Sequence, residues 1–220
     1  VIAGMGLGAD TILDPKDLER SFAPGRNFVT KLWNIGRFLL TNVGAAPVES
    51  LEDIDPARLT AADRWILGRL DAAVASCNTA LGPGHPTAGV WREEQKYQGL
   101  RLNEYTEAAR TFAWGELADW YLEAVKSRLT GTADDRDVAR SVLVHCFDRA
   151  LRLLHPVVPF VTEALWQQLP LSGRGSDALL ATAAWHAGDA CGERSDEFEV
   201  VREAIGAIRK LRADYAIPPG

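Results

Sequence analysis

The sequence has few cysteines, and they are widely separated. Cys77, Cys146 and Cys191 form no C-x-x-C pair. A small disulfide-stabilised domain needs more cysteines, and a structural zinc site needs them in closely spaced pairs. The sequence therefore argues against both, and it predicts reduced, buried thiols in a cytoplasmic protein.

Long apolar runs and strand-like alternation are also missing. No run approaches the roughly 20 apolar residues of a membrane-spanning helix, so the sequence predicts no membrane protein. No part of the chain alternates apolar and polar residues over enough length to support a sizeable sheet. What remains is a helical pattern that runs through almost the whole chain.

Motifs that carry catalysis are absent too. The glycines of residues 4–8 match neither G-x-G-x-x-G nor G-x-x-x-x-G-K-[ST]. His145 and Cys146 lie in an apolar helical stretch, which favours a core position over a nucleophile pair or a metal site. No two histidines have metal-ligand spacing, and His155 precedes a proline at a predicted kink. We expect no catalytic residue, no metal and no cofactor in this chain.

The charge balance is acidic, with 24 Lys and Arg against 30 Asp and Glu and a net charge of −6. This balance argues against a generally basic coat that binds nucleic acid without specificity. A local basic face remains compatible with it, because counterion release depends only on the residues at the contact.

The helical pattern divides into several segments. Residues 1–24 are predicted to be a connector and a short helix from Asp14-Pro15 to Pro24-Gly25. Residues 25–220 are predicted to form an all-α antiparallel bundle of four to six helices. Its helices are expected near residues 25–44, 60–81, 97–129 with at most a kink around Gly115, 135–169 with a bend or break at two prolines, and 196–214.

The helix near residues 25–40 has two different faces. Its apolar stripe has the four, three and four spacing of a core-facing helix and consists of Phe28, Leu32, Ile35 and Leu39. Its polar face combines cations, amides and one aromatic ring, in Arg26, Asn27, Lys31, Trp33, Asn34 and Arg37. Such a face can bind phosphate and unpaired bases, and it can equally be a solvated surface.

The last predicted helix has a cationic side, and the aromatic residues elsewhere lie on apolar faces. That cationic side consists of Arg202, Arg209, Lys210 and Arg212. It can be a solvated surface or an RNA contact. The aromatic residues are interpreted as packing residues, since such stripes usually belong to the core; they are Trp65, Phe112, Trp114, Trp120, Tyr121 and Trp166.

Five blocks in a fixed order resemble the anticodon-binding domain of class I aminoacyl-tRNA synthetases. The G-R-N-F-x-x-K-x-W-N pattern of the first is similar to the valyl branch of that family. The segment 83–98 and the surroundings of Cys191 depart from the family pattern. The blocks lie at residues 25–38, 63–67, 114–123, 154–166 and 208–215.

This resemblance implies a helical bundle that binds the anticodon stem and loop of a tRNA, a valine isoacceptor in that branch. The H-I-G-H and K-M-S-K-S signatures, which bind ATP with Mg²⁺ in the longer enzyme, do not occur here. We therefore expect both ends of the chain to be cuts in a longer ligase, and the piece itself to be a non-catalytic monomer. The expected tRNA-binding residues are Arg26, Asn27, Lys31, Trp33, Asn34, Arg37, Arg209 and Arg212.

Other interpretations remain open from the sequence alone. The chain could be a structural or protein-interaction bundle derived from a synthetase, or the equivalent domain of an isoleucyl or leucyl enzyme. An independent enzyme of another class would require a converging nucleophile, metal set or phosphate loop.

Overall fold

The computed structural model describes residues 17–82, 100–175, 177–185 and 197–217, and within these ranges the chain is all-α without any strand. None of the described helices is long and apolar enough to cross a membrane. The helices are α1 (Leu18–Val43), α2 (Ala61–Leu81), α3 (Leu102–Arg110), a π-helical segment (Thr111–Tyr121), α4 (Leu122–Val125), α5 (Ala133–Leu154), α6 (Pro159–Trp166) and α7 (Glu197–Asp214).

Helix α1 differs from the prediction, because it runs without interruption through Pro24 and Gly25. A proline inside a helix removes one main-chain hydrogen bond. Two contacts support the helical turns next to Pro24. Asp17 caps the helix by accepting from the Arg20 amide at 3.0 Å, and Glu19 pairs with Arg26 across the proline at 2.6 Å.

Helix α2 begins at the predicted capping box. Thr60 and Asp63 exchange side-chain to backbone hydrogen bonds, so Asp serves in the place where Glu or Gln is usual. Asp63 is fully buried and also accepts from Tyr121 at 2.6 Å and from Arg128 at 2.8 Å. The helix start is therefore tied to two later parts of the chain.

The predicted kink near Gly115 is a π-helical segment in the structure. The amide of Leu122 donates to the carbonyl of Leu117, five residues earlier, which is the hydrogen-bond pattern of a π-helix. The wider turn keeps Phe112, Leu117 and Tyr121 in the core. The helix therefore continues from α3 to α4 without a break.

Between α5 and α6 the chain breaks at the two prolines, as predicted. Helix α5 ends at Leu154 and α6 begins at Pro159, the first helical position, where a missing amide costs least. His155 lies in this corner, with Nδ1 2.8 Å from the hydroxyl of Thr162. His155 thus connects the predicted kink to the first turn of α6.

The core is one apolar cluster to which every long helix except α7 contributes buried residues, and Phe198 of α7 packs against it. Leu32, Ile35 and Leu39 of the predicted α1 stripe are buried in it. Cys77 and Cys146 are buried thiols, as predicted, and burial raises the pKa of Cys77 to about 12. The predictions for residues 1–16, 83–98 and Cys191 lie outside the described residues.

Candidate nucleic-acid interface

The polar face of α1 is divided between two flanks of the helix. Successive residues of an α-helix turn by about 100°, so Lys31 and Trp33 project in nearly opposite directions. Arg26 and Arg37 lie seven residues before and four after Trp33, so they share its flank. Asn27 and Asn34 share the flank of Lys31. The structure therefore does not bring all the predicted α1 residues together.

The Lys31 flank of α1 packs beside the π-helical segment. The Lys31 ammonium is 2.8 Å from an Asp119 carboxylate oxygen and 5.5 Å from the ring centroid of Trp114. The rings of Phe28 and Trp114 are stacked, with centroids 6.0 Å apart. An aromatic surface beside a cation is suited to stacking an unpaired base and contacting its phosphate.

The same flank continues to α4. The Lys126 ammonium lies 5.7 Å from the ring centroid of Phe38 and 2.6 Å from Glu123. Phe28, Lys31 and Phe38 contact Trp114, Asp119 and Lys126 in that order, so the residue numbers rise together on both helices. Helix α1 and the π segment therefore run parallel to each other. We call this line of residues the aromatic–cation seam: Phe28, Lys31, Phe38, Trp114 and Lys126.

Helix α7 brings further cations to the π segment. The guanidinium of Arg209 lies 5.0 Å from the ring centroid of Trp120, and that of Arg202 lies 5.8 Å from it. Trp120 follows Asp119 in the chain, so Lys31 and Arg209 contact adjacent residues although they are far apart in sequence. Arg212, in the last turn, is exposed.

Glu199 and Phe198 attach the first turn of α7 to Trp65 of α2. Glu199 accepts from the Trp65 indole at 2.8 Å and from Arg202 at 2.9 Å, and the Phe198 ring lies 4.9 Å from that of Trp65. Hydrogen bonds from Arg202 first, and then from Trp65, lower the pKa of Glu199. The charged form of Glu199 thus helps to hold the α7 cations near Trp120.

The other flank of α1 faces solvent and the end of α6. Arg26 pairs with Glu19 on the surface, and such exposed pairs contribute about 0–1 kcal/mol. A groove of about 300 Å³ further along α1 is lined by Trp33, Arg37, Leu40, Thr41, Leu165 and Gln168, and we call it the Trp33 groove.

Some of these residues were not predicted from the sequence to have a function. Trp114 and Trp120 are half-buried and have cations over their rings, whereas Phe112 and Tyr121 are buried packing residues, as predicted. Lys126 is the seam residue that no sequence argument selected. In the sequence, the one indication of a role for Lys126 is its place one turn after the W-Y-L-E block. That indication is weak until the fold shows Lys126 beside Phe38.

Among the residues that the structure describes, no group of His, Cys, Asp and Glu could hold a metal ion. A groove of about 820 Å³ lies between α2 and α3. Charges in it are paired with one another, as in the contact of Arg69 with Glu116 at 2.7 Å. The surface rich in aromatic rings and cations therefore lies elsewhere, where α1 and α7 flank the π segment.

A family comparison agrees with this geometry. The family model described as the anticodon-binding domain of tRNA ligase matches residues 90–220, more than half of the chain. The chain therefore belongs to the family of anticodon-binding domains of tRNA ligases. The predicted fold class and family are confirmed.

The individual relatives are valine–tRNA ligases. The chain is 37% identical over 198 residues to that of Carboxydothermus hydrogenoformans, covering 88% of this chain and 20% of the relative. It is 36% identical over 229 residues to that of Prochlorococcus marinus strain MIT 9313, covering 97% and 22%. It is 36% identical over 197 residues to that of Streptomyces coelicolor, covering 89% of this chain and 20% of the relative. The chain thus spans about a fifth of the length of these relatives.

Proposed function

We propose that this chain binds the anticodon stem and loop of a tRNA that carries valine. The observation that carries the proposal is the aromatic–cation seam, which interleaves rings and ammonium groups beside the amides of α1. Phosphate contacts fix the register of an RNA, while stacking and amide contacts read unpaired bases. The seam offers both kinds of contact on one surface.

The carboxylates beside the seam do not oppose this role. Lys31 and Asp119 have half-exposed side chains, so their pair contributes about 0–1 kcal/mol. A phosphate that approaches Lys31 can replace Asp119 at small cost. Until then Asp119 holds the ammonium beside Trp114, which reduces the entropy lost on binding.

Two groups of predicted residues have different places in this proposal. Lys31, Asn27 and Asn34 lie along the seam, and Arg209 and Arg212 extend the cationic surface beyond Trp120. Arg26 and Arg37 lie on the opposite flank, where they can meet another part of the RNA.

The longer protein, by this proposal, is a valine–tRNA ligase in which ATP and Mg²⁺ act outside this chain. The chain itself would be a monomeric, cytoplasmic binding module that helps to place the acceptor end of the tRNA in the ligase site. The similarity to valine–tRNA ligases supports this extension, since it is shared by relatives from three bacterial genera.

A binding titration tests the proposal. A tRNA transcript that reads valine codons should bind the chain, and Lys31→Ala should weaken binding roughly tenfold, because a charged contact contributes about 1.5 kcal/mol or more. Arg136→Ala is the matched control, because it removes one half-exposed cation of α5 that lies on neither flank of α1. A tRNA for an unrelated amino acid should bind more weakly.

The alternative of a protein-interaction bundle gives a different result. It predicts no saturable tRNA binding at low salt, or equal effects of Lys31→Ala and Arg136→Ala. Either outcome would exclude the seam as an RNA surface.

A further inference from the structure

The Trp33 groove exists because a glycine lets two helices approach closely. A Cβ atom at Gly36 would overlap the end of the Leu165 side chain, so glycine at this position lets α6 lie close to α1. Leu40 and Leu165 form the apolar part of the groove, and Trp33 and Arg37 form its rim. Its volume of about 300 Å³ is at the lower end for small-molecule sites, which suits a group the size of one base.

The polar groups of the groove have hydrogen-bonding capacity to spare. Trp33 is 44% exposed although it is a large aromatic residue. Within the described ranges no carboxylate lines the groove or pairs with Arg37. The Gln168 amide nitrogen donates to the Ala164 carbonyl at 3.0 Å, which leaves its carbonyl oxygen as an acceptor.

We propose that the Trp33 groove is a single-nucleotide subsite for an unpaired base of the bound RNA. The base stacks on the Trp33 ring, and the Arg37 guanidinium donates to its phosphate. The Gln168 carbonyl oxygen accepts from an exocyclic amino group, which adenine, cytosine and guanine have and uracil lacks. This subsite rests on the proposed function but is separate from the seam, because it lies on the opposite flank of α1.

The chemistry of the groove favours a nucleotide over an apolar peptide. An apolar anchor would fill the space beside Leu40 and Leu165 but would leave the Arg37 guanidinium partly desolvated without an anion. A nucleotide supplies both a flat ring for Trp33 and a negative charge for Arg37.

Stacking is tested with RNA hairpins that carry a seven-nucleotide loop. Trp33→Ala should weaken binding by about tenfold, and Trp33→Phe, which keeps a ring, should restore most of it. Arg37→Ala should weaken binding to a similar extent, and Arg136→Ala should not. The exposed position of these residues means that circular dichroism and thermal midpoints should match those of the unaltered chain.

Base preference is tested with two hairpins whose loops are all adenine or all uracil. The unaltered chain should prefer adenine, and Gln168→Leu should remove that preference by weakening adenine binding alone. Gln168→Glu, which keeps an acceptor oxygen, is the informative companion, since its preference for adenine over uracil should persist.

The outcomes separate this subsite from the proposed function. If Lys31→Ala weakens binding while the Trp33, Arg37 and Gln168 variants do not, the subsite is overturned and the tRNA-binding function stands. If the unaltered chain binds no RNA, both fall. Equal losses for Trp33→Ala and Trp33→Phe would overturn the stacking role.

Discussion

Asp63 shows how a single buried charge connects distant parts of this fold. Its carboxylate accepts from Thr60, Tyr121 and Arg128 and is inaccessible to solvent. Burial, followed by the nearby Asp63 charge, raises the pKa of Tyr121, so its hydroxyl remains a donor. Burial opposes the charge on Arg128, but its contacts with Asp63 and Asp135 outweigh this and raise its pKa.

Removing that carboxylate should destabilise the fold strongly. Asp63→Ala leaves the buried Tyr121 hydroxyl and the Nη1 group of Arg128 without their acceptor, so we expect a loss of about 3–5 kcal/mol in the free energy of unfolding. Urea denaturation followed by circular dichroism measures it. Asp119→Ala is the control, since it breaks a half-exposed pair and should cost about 1 kcal/mol or less. Equal losses for the two variants would show that burial does not determine the effect.

At this scale the sequence could predict one partner of Asp63 and not the others. Thr60 lies three residues earlier, and the capping box is a local pattern. Tyr121 and Arg128 lie 58 and 65 residues later. Only the packing of the π segment against α2 brings them to the same place, and no local spacing records that packing.

Among the helices, α7 is the least firmly attached. It has no buried residue, and several apolar side chains on it are exposed. Its attachment runs through Glu199 and Phe198 to Trp65, and through Arg209 to Trp120. Local opening of α7 is therefore expected to need less free energy than global unfolding.

Acid should loosen α7 through Glu199. Because the pKa of Glu199 is lowered in the fold, its stabilising effect is complete above the ordinary Glu value of 4.5 and is lost as pH falls through the lowered value. Hydrogen exchange of α7 amides should accelerate over that range. In Glu199→Gln the α7 amides should exchange fast already at neutral pH. Lowering the pH should then accelerate them little further, because the carboxylate that would be protonated is gone.

The control for this prediction is Glu197→Gln, which alters an exposed carboxylate of the same first turn. Its exchange should follow the pH dependence of the unaltered chain. The same pH dependence in Glu199→Gln as in the unaltered chain would assign the acid effect to other carboxylates.

The predicted helix boundaries were correct at some positions and wrong at others. The apolar stripe of α1 fixed its core face, but the start was predicted at residue 25 instead of Leu18. Proline is a strong local signal for a break, whereas the Asp17 cap and the Glu19–Arg26 pair that support the turn are specific to this helix. At the π segment the sequence signal was Gly115, which suggested only a kink and not the π-helical hydrogen bonds that the structure has.

For the whole molecule, binding to RNA must be reconciled with a net charge of −6. The cations of α1 and α7 lie near the π segment and on the outer flank of α1. Acidic residues are more frequent at helix starts, for example Asp134 and Asp135 of α5. A charge distribution of this kind attracts a polyanion to one surface and repels it from others, which favours a defined orientation over nonspecific coating.

The salt dependence of tRNA binding tests that distribution. Each phosphate contact contributes about 0.7–0.9 to the slope of log affinity against log salt, because it releases bound counterions. The combined replacement of Arg26, Lys31 and Arg37 by Ala should therefore weaken binding and reduce the slope by about two units. A combined replacement of Arg101, Arg110 and Arg136 by Ala makes the same change in net charge away from α1 and should leave the slope nearly unchanged. If both triple variants reduce the slope equally, the RNA responds to total charge, and the α1 surface has no special part in binding.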